Sequence, residues 1–548
     1  MSTRTSARAP SGYRLWGSLA AIVLGTVAAG TVAAVSVAGT SGSSSPGRPA
    51  ASVVPAGAVL ASTGGTRAPV RSCESLTSVS LVDVTINTAV LDAGNATTPR
   101  SCRVNATSTH PPLGDRVMID IWLPVDNWNG RFQGTGGGGF SGGSPASLPA
   151  PLRAGYATGS TDTGHVGGSG SFALDPANRF NWILIRDNAY LGIHEMTVVG
   201  KALTAAFYGA GPRYSYFNGC STGGRQGLSE AQRYPGDYDG ILAGAPAINW
   251  QKLHVAQLWG QMTMNAAGNF VAQCKLAAAT SAAVEACDTI DGVADGVLED
   301  PLRCAYDPAS LVGTVTPCGE VTAADADVIR KLWRGPRRQN GEFMWYGLTR
   351  GSNLGALNNT TGTPPTGAPF FITLEWFRYW LAQNPALDWR TITPALYELY
   401  WDQSLEQWGA VIGTDNPDLS AYRERGGKII MWHGWADQLI YPQGTIDYFE
   451  RVRDLLGESR TKRFLRLFMA PGVAHCGGGA GPPPSGHFDA LVRWVEEGDA
   501  PDTLDAIRLD AAGNVVRSRP LCQYPQVARY KGHGSTDDAR NFRCSKHF

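Results

Sequence analysis

Short apolar segments alternate along the chain with longer stretches in which apolar residues recur every three or four positions. Four of the short segments have the length and the β-branched or aromatic content of buried strands: 116–124, 215–219, 427–434 and 462–470. Two of the longer stretches, 189–209 and 445–458, have the spacing of helices. Strands that alternate with helices predict an α/β fold built on a mainly parallel sheet.

This alternation is interrupted between about residues 250 and 415. The region holds four of the ten cysteines, many tryptophans and phenylalanines, and connections rich in glycine, proline and asparagine. We therefore predict that 250–415 is an inserted lid domain, and that 70–249 and 416–548 together form the core domain.

The N-terminal region has the pattern of an export signal. Arginines at positions 4, 8 and 14 precede an apolar run from Leu15 to Gly39, and small residues at its end offer cleavage sites. We predict that 1–40 is a cleaved signal peptide, although the run is long enough to be retained as a membrane anchor. The segment 41–69, rich in Ser, Gly, Ala and Pro, is expected to be a flexible linker. The protein is accordingly predicted to be secreted, or tethered to the membrane by a retained N-terminus.

The charged residues are balanced, with 46 Lys and Arg against 46 Asp and Glu. Because neither sign is in excess, we expect no nucleic-acid partner and no stable membrane partner apart from a retained N-terminal segment. A chain that is 43% hydrophobic and 17% charged is typical of globular proteins, and its charge balance names no partner.

The ten cysteines form an even set, which in an exported chain favours disulfides over free thiols or a metal site. Proximity along the sequence suggests four local bridges: Cys73–Cys102, Cys274–Cys287, Cys304–Cys318 and Cys522–Cys544. Cys220 and Cys476 are then left without a local partner.

A Gly-x-Ser-x-Gly pattern at 219–223 points to Ser221 as a nucleophile. A second match at 139–143 contains Ser141, so the pattern alone does not decide. A nucleophile elbow needs a strand that enters the turn and a helix that leaves it. Ser221 has both, since "RYSYFN" precedes it and "GRQGLSEAQRYP" follows, whereas Ser141 lies among glycines and prolines. We therefore predict that Ser221 is the nucleophile.

A serine nucleophile needs a histidine base that is oriented by a carboxylate. His475 follows the strand predicted at 462–470, and Asp437 follows the strand predicted at 427–434, which gives the order Ser, Asp, His. Asp489 is the second choice for the acid, but it comes after the histidine. His433 is interpreted as a strand-end residue that hydrogen-bonds locally.

Acyl transfer also needs backbone N–H donors for the oxyanion. The first expected donor is the amide of Thr222, directly after the nucleophile. The second is expected from the glycine-rich loop 134–139, where we choose Gly137, with its neighbours in 136–139 close alternatives. The competing interpretation of this loop is a flexible linker.

The Cys-Ser, Asp and His-Cys arrangement, together with the block "FNGCSTGGRQGLSEAQRYPGDYDGILAGAPA" (217–247), resembles the tannase and feruloyl esterase family of α/β-hydrolases. That family includes mono(2-hydroxyethyl) terephthalate hydrolase, and the likeness runs from about residue 73 to the C-terminus. The resemblance implies an α/β-hydrolase core, a triad of Ser221, Asp437 and His475, and a disulfide between Cys220 and Cys476. These five positions match the family without departure.

An acidic, glycine-punctuated loop lies at 287–304. Its carboxylates, which suit calcium but also fit a solvated turn, are Asp288, Asp291, Asp295, Glu299 and Asp300. The family resemblance implies a structural lid Ca²⁺, bound by the side chains of Asp288, Asp291 and Asp295 and the carbonyls of Val293 and Val297. No organic cofactor is expected.

Several aromatic residues of the insertion are candidates to stack on an aromatic substrate, although core packing is the commoner fate of such residues. They are Trp345, Phe370, Phe371, Trp376, Phe377, Tyr379 and Trp380. Arg378 is a candidate for a substrate carboxylate, with a surface position as the alternative.

Together these features predict a secreted serine esterase that works through an acyl-enzyme on Ser221. The family resemblance implies esters of aromatic, phenolic acids, such as gallate, ferulate or terephthalate monoesters. Two alternatives remain: a cysteine hydrolase that uses Cys220 and His475, and a non-catalytic binding module with the same fold.

Overall fold

The computed structural model of the protein describes residues 67–546. The strands in that range are β1 (Val84–Asp92), β2 (Ser101–Ser108), β3 (Val117–Pro124), β4 (Arg131–Thr135), β5 (Ala157–Thr161), β6 (Tyr214–Cys220), β7 (Gly240–Gly244), β8 (Val315–Thr316), β9 (Gly319–Glu320), β10 (Thr360–Thr361), β11 (Thr366–Gly367), β12 (Lys428–Gly434), β13 (Leu465–Ala470), β14 (Pro484–Ser485), β15 (Thr503–Leu509), β16 (Val515–Cys522), β17 (Val527–Tyr530) and β18 (Phe542–Ser545).

The α-helices in the same range are α1 (Pro149–Arg153), α2 (Trp182–Arg186), α3 (Gly192–Tyr208), α4 (Thr222–Arg233), α5 (Trp250–Gln257), α6 (Trp259–Ala267), α7 (Gln273–Cys287), α8 (Ala323–Arg334), α9 (Phe371–Glu375), α10 (Pro394–Ile412), α11 (Ser420–Glu424), α12 (Pro442–Leu456), α13 (Glu458–Lys462) and α14 (His487–Glu496). Two π-helical turns, at Asp187–Leu191 and Trp376–Leu381, continue α2 and α9.

A nine-stranded sheet forms the centre of the fold, in the order β1-β2-β3-β5-β4-β6-β7-β12-β13. The pairs along β1-β2-β3-β5 are antiparallel, and every pair from β5 to β13 is parallel. All residues of β7 and β13 are buried, as expected of parallel strands covered on both faces. The predicted α/β-hydrolase core with a mainly parallel sheet is confirmed.

The predicted strands coincide with members of this sheet. The segment 116–124 contains β3, 215–219 lies within β6, 427–434 contains β12, and 462–470 contains β13. The two predicted helices coincide with α3 and α12. Helix α12 starts with Pro442 and is followed by Gly457 at φ 84°, the usual residue types at the two ends of a helix.

The segment 250–415, which the structure describes throughout, contributes no strand to the nine-stranded sheet. It consists mainly of α5–α10 and the two small hairpins β8–β9 and β10–β11. Among its aromatics, Trp376, Phe377 and Trp380 are fully buried and pack in its apolar core, whereas Phe371 is 55% exposed. The Arg378 Nε donates to the Leu387 carbonyl at 3.2 Å, inside the same segment. The domain boundaries themselves stay a prediction.

All ten cysteines form disulfides. Cys73–Cys102, Cys522–Cys544 and Cys220–Cys476 are present as expected. The two local bridges predicted in the insertion are wrong: the pairs are Cys274–Cys318 and Cys287–Cys304. Cys274 and Cys287 lie at opposite ends of α7, and 13 residues of helix separate them by about 20 Å, far beyond disulfide reach.

The signal or anchor segment predicted at 1–40 lies outside the described residues, as does the linker predicted at 41–69 except for residues 67–69. None of the helices within 67–546 is both long enough and apolar enough to cross a membrane.

Candidate active site

Ser221 lies at a sharp turn between β6 and α4. Its backbone has φ 64° and ψ −124°, a left-handed conformation that a non-glycine residue adopts only under constraint. The Ser221 amide donates to the Gly244 carbonyl at 2.9 Å, which fixes the turn against β7. A Cβ at Gly219 would lie 2.4 Å from the carbonyl carbon of Gly223, so the strand and the helix approach this closely only with glycine there. The sequence pattern therefore has a steric cause.

Three loops bring the predicted triad together. The His475 Nε2 lies 3.0 Å from the Ser221 Oγ, and the His475 Nδ1 lies 2.8 Å from the Asp437 Oδ2. Ser221 follows β6, Asp437 follows β12, and His475 follows β13. These strands are parallel, so all three side chains lie at the carboxyl edge of the sheet.

The Asp437 carboxylate is fully buried and fully hydrogen-bonded. Its Oδ1 accepts hydrogen bonds from the amides of Leu439 at 2.8 Å and Ile440 at 2.9 Å. Burial alone raises the pKa of Asp437, but hydrogen bonds from His433 and His475 outweigh it and hold this pKa well below its ordinary value. Because an ionised carboxylate can only accept, His475 must carry its proton on Nδ1, which leaves the Nε2 lone pair facing Ser221.

His433 has a larger part in the site than its sequence position indicated. Its imidazole is fully buried at the end of β12, with Nε2 3.1 Å from the Asp437 Oδ2 and Nδ1 2.8 Å from the Thr445 Oγ1. The hydrogen bond is local, as predicted, but its partner is the predicted catalytic acid. The four-residue spacing between His433 and Asp437, directly after a strong strand, was the available signal.

The two competing residues, Asp489 and Ser141, are not hydrogen-bonded to His475. Asp489 is in the first turn of α14, while the His475 Nδ1 is engaged by Asp437. Ser141 belongs to the glycine-rich loop, where its Oγ donates to the Gly143 carbonyl at 3.4 Å and no helix follows directly. Neither residue forms an acid or nucleophile pair with His475 in the described chain.

A disulfide joins the residue before Ser221 to the residue after His475. The Cα atoms of Cys220 and Cys476 are 6.0 Å apart, although 256 positions separate them in the sequence. Cys476 has φ 59°, so the loop turns sharply at the bridge. The two loops that carry the hydroxyl and the imidazole are thus covalently joined beside the reacting atoms.

The glycine-rich loop extends in the structure from Gly136, after β4, to Gly143. It packs against α4, and this corrects the choice of Gly137 as oxyanion donor. The Gly137 amide already donates to the Gln226 Oε1 at 2.9 Å, and its carbonyl accepts from the Gly223 amide at 3.0 Å. Within residues 67–546, the neighbouring Gly138 amide has no acceptor, and Gly138 is exposed. Thr222 is the first residue of α4, whose first N–H groups have no acceptor inside the helix.

Gln226 was not singled out from the sequence. Besides accepting from Gly137, its Nε2 donates to the Gly142 carbonyl at 2.9 Å, so one side chain holds both ends of the glycine-rich loop. Nearly all of α4 is buried, and a buried amide side chain needs polar partners. The need for polar partners could be inferred from the sequence, but the sequence does not show that the partners are Gly137 and Gly142.

Helix α9 of the insertion covers the glycine-rich loop. A Cβ at Gly139 would lie 2.9 Å from the Ile372 Cδ1, which shows how closely the helix approaches. Phe371, the preceding residue, remains 55% exposed. The Trp376, Phe377 and Trp380 rings are buried in the core and are not available to a ligand.

The acidic loop of the insertion forms a small cavity lined by oxygen-bearing side chains. Its lining includes Asp291, Asp295 and Glu299, together with Val293 and Val297. Burial, followed by the neighbouring Asp295 and Asp288, raises the pKa of Asp291 to about 6. Burial and the carboxylate of Asp291 raise the pKa of Glu299 to about 8. Carboxylates whose ionisation is opposed by burial and by one another's charge suit a site that receives a cation.

The other members of the predicted ligand set have partners within the protein. Asp288 accepts hydrogen bonds from the amides of Gly296 at 3.0 Å and Val297 at 3.2 Å. The Asp295 Oδ2 pairs with Arg519 at 2.5 Å. Glu299, which the ligand prediction omitted, accepts from the Ala528 amide at 2.7 Å. The cavity is therefore lined by the carboxylates of Asp291, Asp295 and Glu299, and Arg519 and several apolar side chains complete its wall.

Known proteins resemble this chain over most of its length. The family description "Tannase and feruloyl esterase" matches residues 102–545. The chain belongs to the tannase and feruloyl esterase family. A probable feruloyl esterase from Arthroderma benhamiae is 43% identical over 469 residues, which cover 82% of this chain and 87% of the relative.

Solved structures of this tannase and feruloyl esterase family have the same fold. Feruloyl esterase B from Aspergillus oryzae is 30% identical, with a TM-score of 0.75 over 86% of this chain and 99% of the other. A tannin acyl hydrolase from Aspergillus niger is 26% identical, with a TM-score of 0.77 over 85% of this chain and 92% of the other. The protein is therefore a carboxylic ester hydrolase of this family.

Proposed function

We propose that the protein is a serine esterase that hydrolyses esters of phenolic aromatic acids through an acyl-enzyme on Ser221. The observation that carries the proposal is the continuous chain of contacts from Ser221 Oγ through His475 to Asp437, with distances of 3.0 Å and 2.8 Å. The left-handed turn at Ser221 supports it, because such backbone strain is characteristic of nucleophile elbows.

Each proton has a place in this arrangement. The Ser221 hydroxyl attacks the ester carbonyl while its proton passes to the His475 Nε2. The imidazolium then gives that proton to the departing alkoxide oxygen, and the C–O bond of the ester breaks. Water repeats the sequence on the acyl-enzyme: its proton goes to Nε2, the free acid leaves, and Ser221 recovers its proton. Asp437 stays ionised throughout and stabilises the imidazolium.

The negative oxygen of the tetrahedral intermediate needs N–H donors on the side of Ser221 away from His475. We assign the Thr222 amide as one donor and the Gly138 amide as the other. The support is that Gly137 is already engaged by Gln226, whereas Gly138 is exposed and free to donate. Small residues in this loop also let the backbone approach a planar ester closely.

The substrate class rests on the relatives. Proteins named feruloyl esterase and tannin acyl hydrolase share this fold and most of its length. In this chain Phe371 is 55% exposed on α9, the helix whose Ile372 approaches the glycine-rich loop, which makes it a candidate aromatic contact for the substrate. We therefore place ferulate esters first among the substrates, with gallate esters and terephthalate monoesters as the comparison.

The two rival functions lose their basis. A cysteine hydrolase needs a thiolate, but Cys220 is bonded to Cys476. A binding module with this fold would have no reason to keep the serine, imidazole and carboxylate in hydrogen-bond contact. A serine mechanism accounts for all three.

We also propose a structural Ca²⁺ in the acidic loop, held by Asp288, Asp291, Asp295 and Glu299 with the carbonyls of Val293 and Val297. The support is the three carboxylates that line the cavity, together with the raised pKa values of Asp291 and Glu299, which a divalent cation would relieve. The ion would supply charge neutralisation and no chemistry. Val297 lies against Gly472, in the loop that carries His475, so the site would support the base indirectly.

We propose further that the protein acts outside the cell. Five disulfides are the main support, since such bridges persist in oxidising compartments. The export pattern of residues 1–40 agrees with it.

Hydrolysis of methyl ferulate by Ser221→Ala tests the esterase proposal. We expect kcat to fall by about 10⁴-fold or more, because the nucleophile is removed. Ser141→Ala is the matched control, since it alters the other Gly-x-Ser-x-Gly serine and should keep its activity. Equal turnover by Ser221→Ala and the wild type would refute the serine mechanism.

A further inference from the structure

Outside the proposed calcium loop, four ionisable side chains meet where the β2–β3 loop touches the start of α3. The loop supplies His110 and Asp115, the π-helical turn before α3 supplies Asp187, and the first turn of α3 supplies Glu195. The His110 Nδ1 is 2.5 Å from the Asp115 Oδ2, and the His110 Nε2 is 2.6 Å from the Glu195 Oε1.

Asp187 is the anomaly in this cluster. Its side chain is fully buried, and neither carboxylate oxygen has a hydrogen-bond partner within residues 67–546. The His110 Nδ1 lies 3.9 Å from its Oδ1, outside hydrogen-bond distance. A buried carboxylate is normally hydrogen-bonded, paired with a cation or bound to a metal. Asp187 therefore points into the cluster without the partner that its burial requires.

The charges of the cluster do not balance. Asp115, Asp187 and Glu195 are three carboxylates, and His110 can neutralise at most one of them. Two negative charges in a mostly buried site are what a divalent cation would neutralise.

We propose that His110, Asp115 and Asp187 bind a divalent transition-metal ion of the Zn²⁺ class. Ligand atoms of these three residues all lie within 4.8 Å of one another. Ligands of a tetrahedral zinc lie about 3.4 Å apart, because each is about 2.1 Å from the ion, so the ion would widen the 2.5 Å contact between His110 and Asp115 and draw Asp187 in from 3.9 Å. A set of one imidazole and carboxylates favours Zn²⁺ over Ca²⁺, which prefers oxygen alone.

Glu195 completes the arrangement without being a ligand. Histidines that bind metals usually donate their second ring N–H to a carboxylate, which fixes the tautomer. The bond from the His110 Nε2 to Glu195 does this, so Nδ1 faces Asp115 and Asp187. When the ion binds, it takes the place of the proton on Nδ1, and that proton leaves to solvent.

A second cluster, of His194, Glu230 and Asp237, has a similar composition but already contains a cation. The Lys201 ammonium is buried there and donates to the carbonyl of Asp237. His194 pairs with the Asp237 carboxylate at 2.6 Å. Both carboxylate oxygens of the buried Glu230 also lack a hydrogen-bond partner in the described part of the chain, but the neighbouring Lys201 supplies a positive charge. This difference makes the cluster a useful internal control.

The metal would stabilise a segment next to the esterase site. Asn188, directly after Asp187, donates to the carbonyl of Phe140 in the glycine-rich loop at 3.0 Å, and its own carbonyl accepts from Arg225 of α4 at 3.1 Å. An ion at Asp187 would therefore restrain the backbone that joins the glycine-rich loop to the nucleophile helix.

Equilibrium dialysis of the purified full chain against Zn²⁺, with Ca²⁺ present to fill the acidic loop, tests the proposal. We expect one bound Zn²⁺ per chain. Asp187→Asn should bind Zn²⁺ at least tenfold more weakly. Glu195→Gln, which keeps a weaker acceptor for the His110 Nε2, should bind it about 10- to 100-fold more weakly. Glu230→Gln, at the lysine-containing cluster, should bind Zn²⁺ like the wild type. If Asp187→Asn does not fold, His110→Gln carries the same expectation.

Three results would overturn the proposal. The wild type could bind no Zn²⁺ at equilibrium, in which case Asp187 holds a proton in place of a metal. Asp187→Asn could bind as tightly as the wild type. Finally, Glu230→Gln alone could lose the ion, which would move the site to the other cluster.

Discussion

The imidazole of His433 donates to the same oxygen of Asp437 that receives the hydrogen bond of His475. The two distances to Asp437 Oδ2 are 3.1 Å from His433 and 2.8 Å from His475. With the Leu439 and Ile440 amides on Oδ1, the carboxylate is held on every side. His433 thus positions the acid without touching the substrate.

Replacing His433 should therefore lower turnover through Asp437. We expect His433→Leu to reduce kcat on methyl ferulate by about 10- to 100-fold with little change in KM, because a hydrogen bond to a charged group is worth about 1.5–3 kcal/mol. His433→Gln, which can keep an N–H donor, should retain most of the activity. Equal kcat values for the two variants would show that the histidine only fills space.

The Cys220–Cys476 bridge should matter for activity more than a peripheral bridge does. We expect Cys220→Ser/Cys476→Ser to lower kcat, because the loops of Ser221 and His475 lose their covalent link. The same variant should also lower the free energy of unfolding, by up to about 5 kcal/mol in the chain-entropy treatment. The control is Cys522→Ser/Cys544→Ser, in the C-terminal strands, which should lower Tm and keep kcat. A kcat that is unchanged in the first variant at a temperature where it is folded would contradict the geometric role.

Gln226 should act on the oxyanion side of the site. Gln226→Leu removes the bonds to Gly137 and Gly142, so the glycine-rich loop can shift away from the nucleophile. We expect kcat to fall by about tenfold or more, short of the about 10²- to 10³-fold loss on removing an oxyanion donor itself. Gln232→Leu is the matched control on the same helix, since Gln232 bonds Thr414 and Tyr448. Parallel losses of kcat in both variants would indicate general damage to α4.

Calcium removal should destabilise the protein in a pH-dependent manner. Without the ion, Glu299 keeps its proton to about pH 8 in the folded state, whereas in the unfolded chain it ionises near its ordinary value. The folded state then binds more protons in that window, so the free energy of unfolding falls as pH rises from about 4.5 to 8. Urea denaturation with EGTA and with excess Ca²⁺ measures this. The slope should shrink with Ca²⁺ and in Glu299→Gln; identical slopes with and without the ion would argue against the site.

The architecture of the core was accessible from the sequence because it depends on local patterns. The composition of the segments that form β3, β6, β12 and β13 predicts that they are buried. Ser221, Asp437 and His475 come after β6, β12 and β13, respectively. Parallel strands bring such positions to one edge whatever the details of packing. This is why the three side chains of the predicted triad were correctly placed in contact.

Features that depend on tertiary contacts were not accessible in the same way. The pairing of Cys274 with Cys318 depends on α7 being one continuous helix, which distance along the sequence does not convey. The choice of Gly137 failed because its amide is taken by Gln226, a residue 89 positions away. Such partners are set by how α4 meets the glycine-rich loop, and no local pattern records them.

The ion pair between Asp295 and Arg519 crosses from the insertion to β16, and Glu299 likewise receives the amide of Ala528 in β17. Arg519 is only 7% exposed, so the loss of Asp295 would leave its buried guanidinium without a counter-charge. The insertion and the C-terminal strands are thus coupled through buried polar contacts. A chimaera that takes residues 250–415 from a relative should fold well only if it also takes residues 515–545 from the same donor.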